Sequence, residues 1–366
     1  MLSVKLQNQA QTAPIHPATA TMKANYYDQN SRPQLSDVVY SRRFLGEMVQ
    51  RIVVPEDEPV VVADFGCGHG GSSGQLMQFA TSRLRQRDPQ RPVMVFRNDL
   101  PSSDFSSLAV DSVSVPEHGT CEFLAPGSFY SRIFPANFIH LATCFAALHW
   151  MQRVPQVVVS KHLTHEAGYQ AARHAFASEW QKGWRDFLAA RFVELRPGGS
   201  MLLSIVGRFE QDSVHGPFEL LQRAAASLVE DGHPRPQHLE RFLLPIYRPT
   251  ESEVAQPFAT SERFRALEVE LCDVTEPECP FFAQLSASGD VATYARGYSS
   301  FIRAFSESAI RYGLFEFQQG QVSAVPLLDC FYERVRRLII AEPEPEPERF
   351  AMKRTRIVVV LRKTRT

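Results

Sequence analysis

Between Val60 and Asp99 the chain passes through an apolar strand, a glycine turn, a helix and a second strand ending on an acid, and this order constrains the fold more than any other feature. Val60-Val61-Val62-Ala63-Asp64-Phe65 is too short for a core helix and runs into glycine, the pattern of a parallel strand buried on both faces. Gly66-Cys67-Gly68-His69-Gly70-Gly71-Ser72-Ser73-Gly74 follows as a tight turn. Without a Cβ at its glycines, such a turn lets backbone N–H groups and the start of the next helix approach a ligand closely. From Gln75 to Arg87, Leu76, Met77, Phe79, Ala80 and Leu84 recur at helical spacing. Pro92 to Asp99 then predicts a second strand, closed by a carboxylate placed to accept hydrogen bonds from ribose hydroxyls.

Spacing alone leaves two readings of Asp99 open, because Asp99-Leu100-Pro101 also makes a natural turn. A glycine turn after a strand occurs in dinucleotide oxidoreductases as well. Two details favour S-adenosylmethionine over a nicotinamide dinucleotide. The turn departs from the dinucleotide pattern of glycines, and Asp64, two residues before Gly66, sets an anion near the place where a sulfonium and its amino group would sit.

Further along, Phe138–Cys144 and Ser200–Val206 predict buried strands, and a long helix is expected over His165–Glu194, stopped at Arg196-Pro197-Gly198-Gly199. Strands alternating with helices of this length imply an α/β fold, a Rossmann-like, mostly parallel sheet covered by helices. Residues 1–21 read as a flexible leader and 22–210 as the core. A mainly helical cap, interleaved with the core, is expected over 211–335, beginning with an amphipathic helix at Phe218–Leu228. Residues 336–366 hold the acidic, proline-rich run Glu342–Glu348, expected to be a solvated loop, and a last strand, Arg356–Leu361.

With a formal net charge of −1 and no long basic tract, the chain has little attraction for a phosphate backbone or an anionic bilayer, so neither nucleic acid nor membrane is expected as a partner. No window approaches the ~20 apolar residues that span a bilayer. The N-terminus lacks the pattern of a secretory signal. Cys67, Cys121, Cys144, Cys272, Cys279 and Cys330 lie too far apart for zinc-type spacing and read as reduced thiols of a cytoplasmic protein.

Asn98-Asp99-Leu100-Pro101-Ser102-Ser103-Asp104-Phe105, Gly127 to Pro135, Leu148-His149-Trp150 with Val154-Pro155, Glu194 to Gly199, and Pro245 to Glu253 together resemble the signature segments of the SABATH methyltransferases. The resemblance runs in order from about Met22 to the C-terminus. It implies a Rossmann-like fold with a helical cap, S-adenosylmethionine as methyl donor, carboxylic acids as acceptors and a homodimer. A magnesium ion lies near the site in some members, and no ligands for one are identifiable here. The resemblance further implies that Ser36, Asp64, Asp99, Leu100, Ser128 and Phe129 contact the cofactor, beside the turn glycines Gly66 and Gly68. Trp150, with His149, is implied to face the reacting carboxylate, and Phe145, Phe218 and Tyr247 to line the acyl pocket. One departure concerns the substrate. Val39 falls where carboxyl methyltransferases often carry a glutamine that grips the carboxylate, so either a neighbour such as Gln34 or Tyr40 supplies the grip or the acceptor group of the substrate sits differently.

The function expected is therefore methyl-ester formation on a small, largely apolar carboxylic acid. The acceptor is ionised at neutral pH, so no general base is needed, and Trp150 suits the site because its N–H donates while its ring walls off water. Two rival readings are N-methylation of a purine-like heterocycle on the same scaffold and a cofactor-binding protein without catalysis.

Overall fold

A computed structural model describes residues 12–14, 26–106, 108, 119–155, 163, 170–209, 216–232, 239, 242–315, 324–341 and 352–364. In chain order the elements are β1 (Thr12–Pro14), α1 (Tyr26–Asn30), α2 (Arg32–Arg51), β2 (Val60–Phe65), α3 (Gly71–Arg87), β3 (Val93–Asn98), β4 (Thr120–Leu124), β5 (Ile139–Phe145), β6 (Arg153–Pro155), α4 (Gln170–Glu194), β7 (Leu195–Gly207), α5 (Gly216–Glu230), α6 (Glu251–Thr260), β8 (Leu267–Thr275), α7 (Pro280–Ser288), α8 (Val291–Ile310), α9 (Ala324–Ala341) and β9 (Thr355–Lys363).

Seven strands form one sheet in the order β4-β3-β2-β5-β7-β9-β8. β4, β3, β2, β5 and β7 are parallel neighbours, while β9 runs antiparallel between β7 and β8. All six residues of β2 are buried, as its unbroken apolar run requires of a strand covered on both faces. On one face Val38, Leu45, Met48 and Val49 of α2 pack with Leu76, Met77, Ala80 and Leu84 of α3. Phe176, Trp180, Trp184 and Phe187 of α4 cover the other, over Phe65 and Ala142. The α/β, Rossmann-like class read from the sequence is what the chain adopts.

Three details differ from the sequence reading. α3 starts at Gly71, four residues before the helix predicted from Gln75, because the small residues Gly71 to Gly74 carry helical backbone without an apolar signal. The sequence reading has no strand at β4 or β8, although Leu267-Glu268-Val269-Glu270-Leu271 of β8 alternates apolar and polar residues; apart from Thr120 every residue of β4 is exposed, the mark of a sheet edge. β8 is a sheet strand inside the stretch read as mainly helical cap, whose helices α5, α7, α8 and α9 share a separate apolar core. Most of the leader 1–21 and all of Glu342–Glu348 lie outside the described residues, although Thr12–Pro14 pairs with β6.

The order β3-β2-β5 places a switch point at the carboxyl end of β2, where crossovers leave in opposite directions and a crevice opens above the strands. The loops after β2, β3 and β5 all meet there.

Candidate functional site

A cavity of about 220 Å³ occupies that crevice, with room for on the order of 15–20 water-sized groups. Asp64, Gly66, Gly68, Asp99, Leu100, Ser128, Phe129, Phe145 and Trp150 all line it. A second cavity of about 50 Å³ adjoins, bordered by His149, Trp150, Phe218, Arg248 and Arg354. Tyr27, Gln34 and Trp150 border both, so the indole stands at the junction.

The glycine turn works by backbone geometry. Gly66 sits at φ 72°, and a Cβ there would meet the Ala147 Cβ at 2.5 Å. Gly68, at φ 58°, would point a Cβ at nothing within 4 Å, so that position opens onto the cavity. Its N–H donates to Asp99 Oδ2 at 2.7 Å. Asp99 Oδ1 accepts from the Leu100 N–H at 2.7 Å and the Ser103 hydroxyl at 2.6 Å. A single carboxylate thus ties the loop after β2 to the loop after β3 while bordering the cavity. Asp64 is 2% exposed and accepts from the hydroxyls of Ser73 and Thr143, with Arg97 behind it at 3.7 Å. Burial pushes its carboxyl above the ordinary range, against the pull of Arg97 and the two hydroxyls.

The loop Gly127–Pro135 delivers Ser128 and Phe129 and is held from below by α4. Arg191 donates to the carbonyls of Phe129 (2.7 Å) and Ser131 (3.0 Å), and Glu194 accepts from the N–H groups of Ile133 (2.5 Å) and Phe134 (2.9 Å). Arg191 Nε closes the set by donating to Glu194 at 2.7 Å, both side chains being 0% exposed.

Trp150 is 9% exposed and its backbone is clamped: Tyr130 donates to its carbonyl at 2.5 Å, and an isolated bridge joins it to Ile246. No acceptor among the described residues takes its indole N–H. Burial, then the charges of Arg354 and Arg248, hold the His149 imidazole down to about 3, so it is neutral at physiological pH. Its Nδ1 is buried without a partner among the described residues and it borders the smaller cavity.

Three implied site residues fall elsewhere than expected. Ser36 is exposed on α2, because the face of that helix turned to the crevice carries Gln34, Asp37, Val38 and Ser41, at helical spacing. Tyr247 is 2% exposed but lies in the core beside Trp180, with its hydroxyl on Glu253, and borders neither cavity. Phe145 borders the larger cavity rather than the smaller one with Phe218. Val39 is 57% exposed, and Tyr40 bonds Asp273 away from the crevice; of the residues proposed to replace the missing glutamine, Gln34 is the one at the junction, its Oε1 buried and without a partner among the described residues. Asp37 and Arg354 escaped the sequence reading because nothing local marks them; they meet only when α2 and the residue before β9 come together.

Two buried histidines make stability fall in acid. His140 Nδ1 accepts the Val61 N–H at 3.0 Å, and burial, with Arg196 next, lowers its pKa to about 4. A folded pKa below the free value of ~6.5 means the stabilisation is complete above pH 6.5 and is lost as pH falls toward 4. About 2 kcal/mol should go at pH 5 from His140 alone. A Tm unchanged between pH 7.5 and 5 would contradict a neutral imidazole there.

Among the described residues no group of three or more His, Cys, Asp or Glu side chains is placed to hold a metal ion, and no helix is long and apolar enough to cross a membrane.

The family of SAM dependent carboxyl methyltransferases matches residues 17–364. Jasmonate O-methyltransferase of Arabidopsis thaliana is 27% identical over 274 residues, 62% of this chain and 69% of that protein. Loganic acid O-methyltransferase of Catharanthus roseus is 29% identical over 279 residues, 68% of this chain and 73% of that protein. A solved loganic acid methyltransferase with SAH has the same fold, at a TM-score of 0.75 and 24% identity, covering 94% of this chain and 98% of that one.

Proposed function

The chain belongs to the SAM dependent carboxyl methyltransferases, and from that premise we propose that the larger cavity holds the methyl donor, the smaller one the body of the acid, and the junction at Trp150 the reacting carboxylate. The enzyme forms methyl esters of small carboxylic acids. Membership disfavours the purine-like alternative. The observation that carries the site assignment is the indole shared by two adjoining cavities, one of them bordered by Asp64, Asp99 and the glycine turn.

The residues present fit S-adenosylmethionine. Asp99 is placed for ribose hydroxyls, Leu100 and Phe129 for the faces of adenine, Asp64 and Ser128 for the polar end, and the empty space over Gly68 for close approach. When bound, that donor supplies a methyl group on a sulfonium.

Everything else is positioning. The acid has a pKa near ~4 and is ionised on arrival, so the chain need not remove a proton. The Gln34 Nε2 amide and the Trp150 indole N–H are proposed to donate to its oxygens, aiming one of them into the larger cavity. His149, neutral, offers a weakly polar wall rather than a charge. Phe218 lines the pocket for the acid's body. The apolar walls exclude water, which strips the carboxylate of hydration that would otherwise blunt it.

We further propose a homodimer acting in the cytosol, in keeping with six unpaired cysteines, and, with a formal net charge of −1, no nucleic-acid partner. The domain reading of core, interleaved cap and final strand is a proposal of the same kind.

The test pairs calorimetry with methyl transfer. Wild-type protein should give heat with S-adenosylmethionine and pass labelled methyl to a base-labile ester of a small acid. Asp99→Ala should weaken donor binding roughly 10- to 100-fold, the loss of a charge-assisted hydrogen bond plus a slackened turn. Transfer only to ring nitrogens, or equal donor affinity in the variant, would overturn the assignment.

A further inference from the structure

Gln34 stands at the junction of the two cavities, yet it belongs to the first turn of α2, which its own helix holds poorly. Ser31 makes no side-chain cap there, and Pro33 occupies the start. The Leu35 N–H opens the helix by reaching the Ser31 carbonyl at 3.1 Å. Helix ends fray, whereas an amide that aims a carboxylate needs a fixed backbone. The turn is held from outside. Arg354, 4% exposed and one residue before β9, donates to the two Asp37 oxygens at 2.6 and 2.7 Å and to the Pro33 carbonyl at 2.8 Å. One guanidinium thus brackets Gln34, binding the residue before it and the acid one turn after it.

Resting on the reading of Gln34 as a donor to the acid's carboxylate, we propose that Arg354 is a positioning residue for the reaction: by tying Pro33 and Asp37 together it fixes the Gln34 amide at the junction beside Trp150. The sheet gives this clamp a rigid base. Arg356, inside β9, donates to Asp37 Oδ1 at 3.2 Å, and its guanidinium lies 3.6 Å from the centre of the Tyr40 ring, one turn further along α2. β9 is paired on both sides, with β7 and β8, and Arg356 is the register partner of Val206, which borders the smaller cavity. A further tie on the turn, from Arg32 to Gln284, is exposed. Arginine suits the task because its planar fork reaches both carboxylate oxygens and a carbonyl at once, where a lysine ammonium keeps the charge and loses that geometry. With lysine at 354, Arg356 still holds Asp37, so the wall that Asp37 gives the donor's cavity stays in place.

The experiment is a double-mutant cycle on kcat/KM, with labelled S-adenosylmethionine and whichever of benzoate, cinnamate, hexanoate and octanoate the wild type uses best, beside calorimetry with the donor. Gln34→Ala should lower kcat/KM roughly 10- to 100-fold, the worth of a hydrogen bond to a charged group. Arg354→Lys should lower it about 5- to 20-fold at an unchanged donor Kd, yet cost no more than about twofold in the Gln34→Ala background, because the amide it serves is gone. A merely structural arginine would cost the same with or without Gln34, and that additivity overturns the proposal while leaving the site reading intact. A wild-type rate in Arg354→Lys does the same. Hydrogen exchange needs no variant: in the wild type the amides of Leu35 to Val38 should exchange as slowly as those of Ser41 to Leu45, and exchange typical of a frayed end overturns the proposal whether or not the lysine variant folds. Gln34→Ala at the wild-type rate, or no transfer to any of the four acids, sinks the underlying reading and the proposal with it.

Discussion

Trp150→Ala is expected to lower kcat/KM on the preferred acid by roughly 100- to 1000-fold, the cost of losing a placed donor and a dry wall at the reacting oxygen. The backbone around it does not depend on the indole. Tyr247 N–H donates to the His149 carbonyl and Met151 N–H to the Pro245 carbonyl, each at 2.9 Å, and Tyr130 holds the Trp150 carbonyl. The side chain also belongs to the cap's core, so truncation should cost about 3 kcal/mol of stability. Trp150→Phe separates the two effects, because it keeps the wall and loses the donor; its loss should be nearer tenfold. Donor binding by calorimetry reports whether each variant is still folded at the larger cavity. An alanine variant that binds the donor and turns over at the wild-type rate removes the indole from the reaction.

How far the sequence reveals this arrangement depends on whether a residue's role is local. β2 and β3 were legible because a strand buried on both faces must be apolar throughout, and the glycine turn because positive φ and a crowded Ala147 leave Gly66 no alternative. Asp64 lies near the end of β2, and Gly66, Gly68, Asp99 and Leu100 follow those strands directly, so they arrive at one cavity. Ser36 failed on rotation: one residue along a helix turns the side chain by ~100°, and Asp37 faces inward where Ser36 does not. Tyr247 failed on depth, being drawn under the junction by Glu253 and Trp180. Edge strand β4 was silent because its exposed residues carry no apolar period, whereas β8 does alternate over Leu267-Glu268-Val269-Glu270-Leu271 but lies inside a stretch read as mainly helical. The Asp37–Arg354 pair was invisible for a different reason. Asp37 and Arg354 are 317 positions apart, and their pairing exists only in the folded chain.

The segments Gly127–Pro135 and Glu194–Gly199 were singled out by resemblance, and the buried pair Arg191–Glu194 explains why they go together: one holds the other in place. Arg191→Met should destabilise the protein by about 3–5 kcal/mol, because Glu194 is left as a buried carboxylate without its cation. Two carbonyls, of Phe129 and Ser131, lose their donors in the same change. The fall in Tm should be roughly 4–7 °C for a chain of this length. Donor binding should weaken with it, since Ser128 and Phe129 border the cavity only as long as their loop is fixed. Removing both charges, as Arg191→Met with Glu194→Leu, tests the cause. Without an orphaned carboxylate the double variant should regain stability over the single one, yet not donor affinity, because the loop's N–H and carbonyl groups still lack their clamp. A single variant losing less than 1 kcal/mol, or a double variant less stable than Arg191→Met, would show that the pair does not hold the loop.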